Sequence, residues 1–245
     1  MQTIKDISYS SGNDKMQKLD IYLPDKEEFA VIVYFHGGGI VDGDKECVFC
    51  PYLQENGVGV VSANYRMYPA VKFPEFLEDA AEAVAWAVKN ISSYGKVIKI
   101  YVGGSSAGAY ISQMLCFDKR YLGKHGIDPD SLAGFFFDAG QPTVHFNVLK
   151  EKGIDPKRVV IDENSPLFHA CSERNYPRMH FIVSDNDLPG RYEQTMLFLV
   201  TLKNLGHGEK TNLKVMENSS HCSYTDVVID GRNPLADMIA EFIGA

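Results

Sequence analysis

The chain has 245 residues, 45% hydrophobic and 23% charged, with a formal net charge of −8; this suits one soluble α/β-sized domain over residues 1–245, with a single core. The acidic balance opposes binding to a phosphate backbone, which needs clustered Lys and Arg to release counterions, so nucleic acid is excluded as a partner class. No stretch approaches the roughly 20 apolar residues of a membrane span, and Met1-Gln2-Thr3-Ile4-Lys5-Asp6 lacks the apolar segment of a signal peptide, so a cytoplasmic location is the default expectation.

Residues 4–9 and 17–23 alternate around the turn Ser11-Gly12-Asn13-Asp14, which predicts an antiparallel hairpin at one sheet edge. Residues 29–35 and 57–63 are nearly continuous apolar runs, the pattern of strands covered on both faces. Between them lies Cys47-Val48-Phe49-Cys50. Five cysteines are an odd number, and Cys47, Cys50, Cys116, Cys171 and Cys222 show no framework spacing, so free, buried or half-buried thiols in a reducing compartment are expected. No second ligand pair accompanies the Cys-x-x-Cys to make a zinc site. Residues 75–91 then carry helical spacing through Phe76, Ala80, Ala83, Val84 and Val88.

The alternation continues with a buried strand at 97–103, a helix at 107–117, strands at 132–137 and 179–184, a helix at 191–205, a strand at 212–217 and a helix at 234–242. This predicts an α/β fold with a mostly parallel, doubly wound sheet and helices on both faces. Between residues 141 and 178, Pro142, Pro156, Pro166 and Pro177 punctuate short helical stretches such as 144–152. That segment reads as a small cap over a site.

Gly104-Ser105-Ser106-Ala107-Gly108 fits Gly-x-Ser-x-Gly, the strand-to-helix elbow that presents a nucleophilic serine. The pattern alone is weak in a chain with 21 glycines, but strand, elbow and helix stand here in the required order. Ligands of an open parallel sheet collect at the carboxyl ends of its strands, and this filter selects among seven histidines. His221 follows the strand 212–217 and is the base candidate. His207 precedes that strand and is expected on an exposed loop, while His180 falls inside a strand; His125, His145 and His169 lie in connections or the cap without positional support. Asp185 and Asp187 both follow the strand 179–184, and Ser106, Asp187 and His221 obey the serine, acid, histidine order of this elbow type. Asp138 is a weaker third acid, read as structural.

His36-Gly37-Gly38-Gly39 follows directly on a strand, and its backbone N–H groups are open to an oxyanion. Alone it reads equally as an ordinary glycine-rich turn; beside Ser106 the catalytic reading prevails. Neither Gly-x-x-x-x-Gly-Lys-Ser/Thr nor Gly-x-Gly-x-x-Gly occurs, which excludes a nucleotide-binding loop of either kind. In this chemistry His221 takes the Ser106 proton and returns it to the leaving group, while Asp187 holds the imidazole tautomer.

These pieces, with Asn64-Tyr65-Arg66, Pro69 and Phe73-Pro74, resemble the α/β-hydrolase superfamily, and more closely the esterases and lipases similar to hormone-sensitive lipase with their His-Gly-Gly-Gly loop, over about residues 31–224. The resemblance implies Ser106 as nucleophile and an oxyanion hole from the N–H groups of Gly38, Gly39 and Ala107. It favours Asp187 over Asp185 through the family's Gly-x-x-Asp spacing, although Ser184 replaces the glycine. It implies a serine hydrolase of short to medium acyl esters, acetylated or acylated carbohydrates among them, working through an acyl-enzyme. No metal or organic cofactor is implied, the partner is a small ester, and homo-oligomerisation is left open. Arg191 reads as a surface or structural charge, with an anion-binding role as the alternative. An amidase, formamidase or peptidase of the same fold is the runner-up, and a binding module without turnover is the competing class.

Overall fold

A computed structural model describes residues 1–245. β1 (Gln2–Ser8) and β2 (Lys18–Leu23) form the antiparallel edge hairpin, and β2 pairs antiparallel with β4 (Gly59–Ala63). All later pairings are parallel: β4 with β3 (Glu28–Phe35), β3 with β5 (Lys96–Ser105), then β6 (Gly134–Asp138), β7 (Arg178–Asn186) and β8 (Thr211–Ser220). One eight-stranded sheet results, ordered β1-β2-β4-β3-β5-β6-β7-β8.

Strand periodicity sorts the core into two layers. On β3, Val31, Val33 and Phe35 join one apolar cluster with α2 (Glu75–Asn90), α3 (Ala107–Phe117) and α6 (Arg191–Asn204). Ala30, Ile32 and Tyr34 face the other, with α1 (Phe49–Glu55) and α7 (Pro234–Ile243). Successive side chains point to opposite faces, so an unbroken apolar run signals a strand with helices on both sides. The first half of β5 departs from the buried strand expected: Ile98 is 55% exposed, and the strand is buried only from Tyr101 onward.

Two short helices, α1 and α4 (Lys119–Gly123), have no counterpart in the sequence reading, because five to seven residues are too few to show a helical period. The 141–178 segment holds α5 (Phe146–Glu151) and one 3₁₀ turn, Pro166–His169.

Buried charge is partnered at the hairpin side. Asp79, in the first turns of α2, takes Nε and Nη2 of Arg66 at 2.8 and 2.7 Å and the Gln17 amide at 2.8 Å, so the chain after β4 is clamped to the helix. Lys45 bridges Asp20 at 2.9 Å and Asp6 at 3.1 Å.

α3 sits against β3 with no side chain between them at one point. A Cβ on Gly108 would lie 1.9 Å from the Phe35 carbonyl oxygen, and neither backbone is free to retreat. Gly108→Ala should therefore cost about 3 kcal/mol, among the larger single-residue effects, and lower Tm by about 10 °C, read by calorimetry.

Candidate active site

Ser106 stands between β5 and α3 with φ 53° and ψ −111°, a left-handed conformation that few side chains adopt. The turn is tight enough that a Cβ on Gly104 would lie 2.4 Å from the Gly108 carbonyl carbon. The Ser106 N–H donates to the Asp138 carbonyl oxygen at 2.7 Å, which fastens the elbow to β6.

The Ser106 hydroxyl lies 2.7 Å from His221 Nε2, and His221 Nδ1 lies 2.5 Å from Asp187 Oδ1. An ionised carboxylate only accepts, so Nδ1 carries the proton and Nε2 is left to accept from the serine. Asp187 and His221 come from segments that follow adjacent strands, β7 and β8. Those strand ends are tied by the Ser184 hydroxyl, which donates to the Ser220 carbonyl at 2.9 Å, a bond that glycine at 184 could not make. The Asp187 side chain is fully buried, whereas that of His221 is 20% exposed. Burial opposes ionisation of Asp187, but the hydrogen bond and charge of His221, with the N–H groups of Leu188 and Ser184, hold its carboxyl below the ordinary range.

The glycine loop stands beside the serine. Gly38 and Gly39 have φ +96° and +65°, and the Gly38 carbonyl accepts the N–H groups of Val41 and Asp42 at 3.1 and 3.0 Å, so it turns inward on its own loop. Their own N–H groups meet no protein acceptor, and Ala107, first in α3, offers an N–H that the helix cannot satisfy. Gly37 abuts Ser106, where an added Cβ would be 3.3 Å from the serine Cβ. His36 stacks on Tyr65 with ring centroids 4.5 Å apart, and its Nδ1 donates to the Gly37 carbonyl at 2.8 Å. Burial lowers its pKa, so it serves as a neutral strut. A cavity of about 380 Å³ is lined by Ser106, Gly38 and His221 and also by Cys47, Thr225 and Asp226.

The remaining expectations divide. Asp185 accepts the N–H groups of Asn218 and Ser219 at 2.8 and 3.1 Å and anchors β8 instead of meeting the histidine. His180 is packed, stacked on Phe136. His207 was expected on an exposed loop, but it is 7% exposed: Nε2 bonds the Cys171 carbonyl at 2.8 Å and the ring packs edge-on against Tyr176. Its turn packs against the 141–178 segment, which strand order alone did not reveal. Cys47 and Cys50 are not free thiols; they form a disulfide beside the cavity, because the first turn of α1 brings them together. That bond removes the thiol argument for a reducing compartment. Arg191 is 4% exposed and donates to the Ala139 carbonyl and, at 3.3 Å, to Gln141, so it is neither a surface charge nor turned toward substrate.

One residue was missed. Asn147, in α5, donates its side-chain amide to the Gly39 carbonyl at 2.6 Å and fixes the glycine loop from the 141–178 segment. No local pattern marks it. Asp138, weighed in the sequence as a third acid and read as structural, is a fully buried carboxylate at the end of a strand of phenylalanines. No group of three or more His, Cys, Asp or Glu side chains is arranged to hold a metal ion, and no helix is long and apolar enough to cross a membrane.

A doubly wound sheet with a strained serine at its elbow, a histidine after the last strand and a glycine loop after β3 is the architecture of the α/β-hydrolase fold. The comparisons agree. The family model described as BD-FAE matches residues 19–132. Esterase LipI of Mycobacterium tuberculosis is 35% identical over 105 residues, 41% of this chain and 32% of LipI, so the match spans about a third of that relative. Kynurenine formamidase of Danio rerio is 24% identical across 99% of this chain and 83% of its own length. The crystal structure of esterase B from Lactobacillus rhamnosis superposes with a TM-score of 0.78 at 15% identity, covering 98% of this chain and 84% of that one, which speaks to the fold.

Asn147→Ala should slow labelling of Ser106 by a fluorophosphonate about fivefold, the worth of one neutral hydrogen bond, without lowering Tm by more than about 3 °C. Time-resolved labelling followed by mass spectrometry checks it.

Proposed function

We propose that the protein is a serine hydrolase that cleaves carboxylic esters through an acyl-enzyme on Ser106. The observation that carries the reading is the unbroken hydrogen-bonded series from Asp187 through His221 to the Ser106 hydroxyl. His221 Nε2 takes the serine proton as the oxygen attacks the ester carbonyl, and Asp187 stabilises the imidazolium that forms. The N–H groups of Gly38, Gly39 and Ala107 receive the oxyanion, acting on charge that exists only in the tetrahedral state. Collapse expels the alcohol, protonated by His221, and water repeats the sequence on the acyl-enzyme.

A cavity of about 380 Å³ with Thr225 and Asp226 on its wall suits a small polar alcohol, and short to medium acyl esters, acetylated carbohydrates among them, are the substrate class. The 141–178 segment serves as the cap, with α5 holding the glycine loop through Asn147. An aryl formamide is the second reading, favoured by the end-to-end similarity to a protein named kynurenine formamidase.

Hydrolysis of p-nitrophenyl acetate, butyrate and octanoate should fall with acyl length, and Ser106→Ala should lose on the order of 10⁶-fold in kcat. Asp187→Asn should lose on the order of 10⁴-fold, since the amide favours the wrong imidazole tautomer. A matched aryl formate and N-aryl formamide separate the two readings: faster turnover of the amide would sink the ester assignment.

A further inference from the structure

Beneath the site lies a carboxylate that the reaction above does not use. Asp138 ends β6 and is fully buried. It accepts the hydroxyl protons of Ser105 and Tyr224, and the Cys222 thiol lies 3.9 Å away. The Tyr34 hydroxyl donates in turn to Ser105 Oγ at 2.6 Å. Ser105 is the chain neighbour of the nucleophile and Cys222 that of the base, so one carboxylate touches the flank of each. Its main chain acts in the same direction, through the Ser106 N–H on its carbonyl oxygen at 2.7 Å.

No lysine or arginine pairs with this carboxylate, and a buried charge without a cation is costly. Burial pushes its pKa up to about 6, against the hydrogen bonds of Ser105 and Tyr224 and the charge of His221. A passive hydrogen-bond hub does not require a charge at that cost.

We propose that Asp138 is a positioning residue for the Ser106–His221 pair, its ionised carboxylate holding the nucleophile strand and the base-bearing loop in one frame. The proposal rests on the esterase reading of this site. The ionisable groups around it are Tyr34 from β3, Asp187 from the end of β7, and His221, Cys222 and Tyr224 after β8, with Arg191 at the head of α6 beyond Cys222. Ionised, Asp138 accepts from both hydroxyls. Protonated, it becomes a donor itself, one hydroxyl loses its acceptor, and the two flanks come apart. Below about pH 6 activity therefore falls as Asp138 takes up a proton.

The test measures kcat, KM and Tm on p-nitrophenyl acetate from about pH 5 to 9 for wild type, Ser106→Ala, Asp138→Asn and Tyr224→Phe. The wild-type acid limb should include a step near pH 6 that belongs to Asp138. Asp138→Asn should lower kcat about tenfold at pH 8 with KM within about twofold, and remove that step. Tyr224→Phe removes a bond to the charged form, so Asp138 protonates more readily and the limb begins at higher pH. Wild-type kcat and an unaltered limb in Asp138→Asn, or variants that lower Tm alone, overturn the proposal. If Asp138→Asn does not fold, an unmoved limb in folded Tyr224→Phe overturns it instead. A wild type without turnover, or a Ser106→Ala that retains it, removes the ester reading and the positioning role together. An active wild type, an inert Ser106→Ala and an unchanged Asp138→Asn strike the positioning role alone.

Discussion

Everything at the site hangs on a place where two backbones touch. Gly108 brings the first turn of α3 against the carbonyl end of β3, and Gly104 lets the preceding strand fold under that turn. The chain between them has no choice but to reverse within a few residues, and the residue at the apex, Ser106, is driven to φ 53°. Because the contact is main chain on main chain, no rotamer change can relax it. The glycine loop leaves β3 at the same point, so the strand that supports the helix also delivers the N–H groups proposed to receive the oxyanion. The Ser106 hydroxyl and those N–H groups share one rigid reference.

The electrostatics are arranged around that reference in depth. Asp187 is buried but supplied with a histidine and two backbone N–H groups, which keep it charged. Asp138 is buried among hydroxyls without a cation, and burial pushes its pKa up to about 6. His36 and His145 lose their charge to burial, the latter brought down to about 3 as it caps α5. Of these three histidines, only His221 keeps a carboxylate on one nitrogen and a partly exposed face on the other.

Much of this was legible in the sequence because it is local. Alternation told the edge hairpin, unbroken apolar runs told the central strands, helical spacing told helices, and the order of strands told which loops reach the same edge, which was enough to bring Ser106, Asp187 and His221 to one place. What escaped depended on contacts between distant segments. Asn147 matters only because α5 folds back onto Gly39, 108 residues earlier in the chain. His207 is buried only because Cys171 and Tyr176 cover it. The Cys47–Cys50 pairing needed a helical turn too short to register as periodic. Arg191 shows the same limit from the other side: charge predicts exposure, and only the fold shows a carbonyl and an amide waiting for the guanidinium.

The wall of the cavity that faces Ser106 is built from segments that carry none of the elbow's glycines. Cys47 precedes α1, and Thr225 and Asp226 lie in the connection before α7. Side chains there can be exchanged without entering the backbone contact that sets the nucleophile. The molecule is thus divided into a part that cannot drift and a part that can. Over evolutionary time, or in a directed library, the proposed substrate preference can change by altering that wall while the Ser106–His221–Asp187 geometry is inherited intact.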